Sequence, residues 1–187
     1  MNAANFNLLY EEIVINTLQA HGYFPKGQSL FITKGTMVAA LLRSSFRGEQ
    51  ATDIIFCIRH AFLRDHVTLT TKNVYLKDAV DYPFRFSIIK FTEKDLFAVK
   101  YTPINYSRAR LEMTFESIYY GDTDAEDTKE ITDQLEIMTD NIIKYGPQIM
   151  NLLSPKKSCG YISQNNRGAW IEKVWLEDYE NHIYEQN

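Results

Sequence analysis

The chain has 187 residues, 45% of them hydrophobic and 24% charged, with a formal net charge of −4. That length and hydrophobic content suit one globular domain over 1–187 with a core of its own, and the acidic balance excludes a general nucleic-acid binder, which neutralises phosphates with surplus Lys and Arg. Two cysteines, Cys57 and Cys159, make neither a disulfide framework nor a zinc site, and the longest apolar runs, 37–42 and 54–58, fall far short of the roughly 20 residues a membrane span needs.

The opening MNAANFNLLYEEI has no basic n-region and carries acids inside its apolar stretch, so no secretory signal is expected and the cytoplasm is the expected compartment. The spacing predicts a helix over 5–20, with Phe6, Leu9, Tyr10, Ile13, Val14 and Leu18 on a broad apolar face and His21 and Gly22 ending it. Two extended runs, 30–33 and 36–46, flank Lys34 and Gly35 and predict a hairpin. The run 52–63 is apolar on both faces, as a strand in the middle of a sheet must be. Shorter strands are expected at 67–70, 74–76, 84–91 and 96–101, with a turn at 92–95. The cleanest alternation falls over 109–119, where Leu111, Met113 and Phe115 alternate with Arg110, Glu112, Thr114 and Glu116; the polar side of that strand should meet water or a ligand.

The longest periodic segment is 124–154. Ile131, Leu135, Met138 and Ile142 recur at i, i+4, i+7 and i+11 and form one stripe, extended by Tyr145. Glu126, Glu130, Asp133 and Asp140 lie nearly opposite, with Glu136 beside them and Ile137 in their midst. Gly146 and Pro147 are expected to stop this helix, with a second short helix over 147–153. A polar loop is expected over 156–168 and a final aromatic helix over 169–184. Helices at both ends and one before the C-terminus would cover one face of a largely antiparallel sheet, an α+β fold.

Motifs that carry chemistry are absent. The chain has no G-x-x-x-x-G-K-[ST], no G-x-G-x-x-G, no H-E-x-x-H, no paired C-x-x-C and no G-x-S-x-G. The positive feature is a run of Arg43, Arg47, Arg59, His60, Arg64 and His66. If the hairpin pairs as expected, Arg43 and Arg47 share one strand face while Arg59 and His60 alternate on the next, and a concavity holding a carboxylate or phosphate could form. No metal geometry follows from the spacing of His60 and His66, and no cofactor is expected.

The opening helix ending in HGYFPKGQSLFI, the sheet through TMVAALLRSSF and ATDIIFCIRHAF, and the late helix ITDQLEIMTDNIIKYGPQIMNLL together resemble a small bacterial family of domains of unknown function. The resemblance implies a bacterial or phage cytosolic protein and assigns no active-site residue. From the residues themselves, the expectation is a non-enzymatic interaction protein of the immunity or regulatory kind. It would bind a basic protein partner through Glu126, Glu130, Asp133, Ile137 and Asp140, without nucleic acid or membrane. The alternative is a small-ligand-binding protein or enzyme that holds an anion with Arg43, Arg47, Arg59, His60 and Arg64. A homodimer through the aromatic C-terminal helix is the third arrangement.

Overall fold

The first helical run carries its buried side chains, Phe6, Tyr10, Val14 and Leu18, at every fourth residue. In a regular α-helix each such step overshoots a full turn by about 40°, so the row would wind off the core. The computed structural model, which describes residues 1–45, 50–101, 103, 116–121 and 125–186, shows how the chain corrects this. Helix α1 (Ala3–Tyr10) passes through a wider π-type turn (Glu11–Ile15), where the Asn16 amide donates to the Glu11 carbonyl five residues back, and continues as α2 (Asn16–Ala20). All four side chains stay on the core. The helix starts earlier than expected because the Asn2 side chain accepts from the Asn5 amide at 2.9 Å, and it ends at His21 and Gly22 as expected, Gly22 taking φ +89.

Strands β1 (Phe24–Lys26), β2 (Ser29–Lys34), β3 (Met37–Ser45) and β4 (Ala51–His60) pair antiparallel in chain order. The hairpin between β2 and β3 pairs Lys34 with Met37, leaving Gly35 and Thr36 as its turn. Gly35, at φ +59, fills the first central position, where a tight hairpin of this kind requires the left-handed region. Strand β4 is the middle of the sheet. One edge pairs with β3 along its whole length; the other is shared end to end by β6 (Glu116–Tyr119), opposite residues 51–54, and β5 (Phe84–Phe86), opposite residues 56–58. Ile54, Phe56 and Ile58 point to the helices, while Ile55 and Cys57 point to a second, smaller core.

That second core lies under the irregular segment 61–83, which covers the sheet with Ala79, Tyr82 and the partly buried Val74, Tyr75 and Leu76. Strands expected at 67–70, 74–76 and 96–101 do not form, and of 84–91 only Phe84–Phe86 is extended. A 3-10 turn (Glu93–Ala98), opened by a Thr92–Asp95 capping box, replaces the last of them. The reason is non-local: Asn141 donates its side-chain amide to the carbonyls of Ile88 (2.9 Å), Ile89 (3.2 Å) and Phe91 (3.1 Å), which turns that stretch toward the helix rather than toward another strand. Residues 109–115 of the alternating strand lie outside the described residues; its end is β6.

Helix α3 (Ala125–Leu152) runs straight through the expected stop, with Pro147 inside it. The apolar stripe continues as Tyr145, Ile149 and Met150, and burying these residues outweighs the one bond a proline removes. Gly146 is buried where the helix comes nearest the sheet: a Cβ there would stand 3.4 Å from both the Phe56 ring and the Tyr23 hydroxyl. The expected loop 156–168 is largely helical as well. Ser154 caps and Pro155 opens α4 (Pro155–Asn165), which buries Ser158 and Ile162, and α5 (Trp170–Glu185) follows. Among the described residues, five helices on a six-stranded antiparallel sheet make this an α+β fold, and no helix is long and apolar enough to cross a membrane.

Candidate functional site

Helix α3 separates its two faces as its periodicity requires. Ile131, Leu135, Met138 and Ile142 are at most 4% exposed, whereas Glu130, Asp133, Glu136 and Asp140 are all exposed. Ile137 stands among the acids at 48% exposure. Among the described residues none of these four carboxylates forms an ion pair within the chain; Glu130 accepts only from the Gln134 side-chain amide one turn on, at 3.1 Å. The result is a solvated row of negative charge around one aliphatic side chain on a rigid helix. Glu126 belongs to the first turn of α3, and its side chain lies outside the described residues.

The arginine and histidine run is dispersed by the fold. Arg43 lies on the helix side of β3, where its guanidinium donates to Asn7 Oδ1 (2.7 Å) and Thr52 Oγ1 (3.1 Å) and stacks over the Tyr10 ring, 4.4 Å from its centroid. His60 also faces the helices, with Nδ1 at 2.9 Å from the Tyr179 hydroxyl. Arg59, one residue earlier, points to the opposite face and is fully buried beside Tyr82. Arg64 is held by Glu177 and by Asp178, at 2.7 Å, on α5. Arg47 lies outside the described residues. Alternation along β4 thus sends the two central members to opposite sides of the sheet, and the described members are each bound internally rather than gathered around a ligand.

Two buried arrangements carried no sequence signal, because their members meet only in space. On the sheet's second face His66 Nδ1 sits 2.8 Å from Asp81 Oδ1, which also accepts the His66 amide at 2.7 Å, and its Nε2 lies 3.8 Å from Asp78. Asp65 closes the adjoining loop by accepting from the Val67 and Thr68 amides at 2.9 and 2.6 Å. Burial pushes the Asp65 carboxyl up, but the bonds from Thr68, Val67 and Thr70 outweigh it and hold the group at about 2. At the other end, the fully buried Glu172 accepts from the Tyr101 hydroxyl and, at 2.9 Å each, from the Arg167 and Ala169 amides that open α5. Glu172→Gln turns an NH2 toward at least one of those donors; it is expected to lower the unfolding free energy by about 2 kcal/mol, read from the urea midpoint.

Clefts complete the inventory. One of about 400 Å³ on the second face is lined by Leu42, Ser44, Ile55 and Ala79 with the charged Asp53, Lys77 and Asp78, so its charges are mixed. A smaller pocket of about 150 Å³ opens between α3 and β2. Among the described residues no three His, Cys, Asp or Glu side chains gather to hold a metal ion. No protein-family model matches the chain, and neither a curated protein nor a solved structure matches it.

Proposed function

We propose that the chain is a non-enzymatic interaction protein that binds a basic protein partner through the acidic face of α3. The observation that carries this reading is the combination of exposed Glu130, Asp133, Glu136 and Asp140 with the half-exposed Ile137 on one rigid helix. Negative charge concentrated on one face raises the encounter rate with a positive surface, and an apolar side chain at its centre supplies contact area once water has left. Such a face suits a cytoplasmic immunity or regulatory protein of a bacterium or phage, the setting proposed for this chain. The dispersal of Arg43, Arg59, His60 and Arg64 leaves the anion-holding alternative without a shared cavity among the described residues.

Reversing two of the charges, Glu130→Lys with Asp133→Lys, tests the reading. Both side chains are exposed, so the fold should tolerate the change. Affinity for a lysine-rich peptide at low salt is expected to fall about tenfold, mostly through slower association, and the difference should shrink as salt is added. Equal association kinetics for the two proteins would remove the acidic face from consideration.

A further inference from the structure

The same helix carries a second stripe beside the acids. Glu136, Asp140, Ile143 and Pro147 stand at i, i+4, i+7 and i+11 and therefore line up along about 16 Å of α3. The first two are exposed carboxylates; the last two border the pocket of about 150 Å³. Tyr23, Ile142 and Met150, all buried, line it together with Ile32. An apolar cavity of that size takes a guest about as large as benzene, which is one aliphatic or aromatic side chain. The polar groups of the lining are the Tyr23 hydroxyl, Lys34, which donates to Asn151 Oδ1 at 3.4 Å, and His21, which is bonded to the Thr17 carbonyl at 2.9 Å.

A segment that answers these features carries one apolar side chain flanked by cations.

We infer that this pocket receives an aliphatic or aromatic anchor from the basic partner, whose flanking Lys or Arg side chains pair with Glu136 and Asp140. The inference rests on the acidic-face reading and extends it by naming where the partner's apolar side chain goes. The test uses the full chain and two short Lys/Arg peptides that differ only in a central leucine or alanine. The leucine peptide is expected to bind about tenfold tighter and to shift the methyl resonances of Ile143 and Met150, because burying a leucine side chain contributes at least that factor. Ile143→Phe, which fills the mouth, should bring the leucine peptide down to the affinity of the alanine one; Glu136→Gln with Asp140→Asn should weaken both equally. If the two peptides bind the unaltered protein equally tightly and in a salt-dependent way, the pocket inference is overturned and the acidic-face reading stands. If neither binds with any salt dependence, both are overturned.

Discussion

Arg59→Ala is expected to lower the unfolding free energy by about 4 kcal/mol, the largest effect of any single change considered for this chain. The Arg59 side chain is fully buried and donates to backbone carbonyls of Leu63, Asp81 (3.2 Å) and His60 (3.3 Å), with its guanidinium 5.9 Å from the Tyr82 ring. Burial disfavours its charge, and the facing Asp81, Tyr82, Tyr179 and Asp65 favour it. Alanine removes the donors, leaves the carbonyls dry and opens a cavity. Two of those carbonyls belong to the segment that roofs the sheet's second face, so amide exchange over 61–83 should accelerate more than exchange in α3. Arg59→Met, which keeps the packed stem and loses only the donors, should cost about half as much. A shift of the urea midpoint equivalent to less than about 1 kcal/mol would mean that water replaces the guanidinium and that the arginine does not tie the roof to the sheet.

The protein is expected to lose about 3 kcal/mol of stability between pH 6.5 and pH 4, and His60 is the cause. Burial, then the neighbouring His182 and Arg59, push its imidazole down to about 4, against a smaller opposing pull from the Leu153 carbonyl. A histidine depressed in the folded state favours folding above its unfolded value, near 6.5, and that contribution disappears as the pH falls through the folded value. Asp65, held at about 2, contributes its stability above the ordinary carboxylate value near 4 and loses it only as the pH falls toward 2. The two groups therefore act in successive windows. Urea midpoints at pH 7.5, 4.5 and 2.5 separate them: His60→Leu should flatten the change between the first two and leave the change between the last two intact. A wild-type midpoint unchanged between pH 7.5 and 4.5 would show that folding does not lower the His60 pKa.

Where a single periodicity decides a structure, the residues were enough to read it. The α3 stripe and the two-sided strand around Phe56 stand where hydrophobic spacing puts them, and the β2–β3 hairpin forms with its turn one residue later than expected, at Gly35 and Thr36, because the glycine takes the first central position. Punctuation was less dependable. Gly146 and Pro147 carry every local sign of a helix end, yet the spacing of Ile142, Tyr145 and Ile149 runs through them unbroken, and packing against Phe56 decides the matter. Ser154 and Pro155, which also suit the end of a helix, act here as a cap and a first helical residue. Beyond Phe86, the stretch to residue 101 could not be read without Asn141, which lies some fifty positions further on and supplies donors that shape it. The candidate site divides in the same way. Exposure of Glu130, Asp133, Ile137 and Asp140 follows from helical angle alone, whereas the facing of Arg59 and His60, and the meetings of His66 with Asp81 and of Tyr101 with Glu172, depend on tertiary placement.

The end-to-end sharing of one edge of β4 sets an order on assembly during synthesis. A ribosome delivers β3 and β4 early, but the segment that closes the first half of β4's open side, Glu116–Tyr119, arrives more than fifty residues later. Until then the backbone groups of Ala51 to Ile54 on that side have no strand beside them, and a nascent chain with such a margin can pair with a neighbouring copy. Delaying or deleting β6 should therefore make newly made chains clump before the acidic helix has emerged.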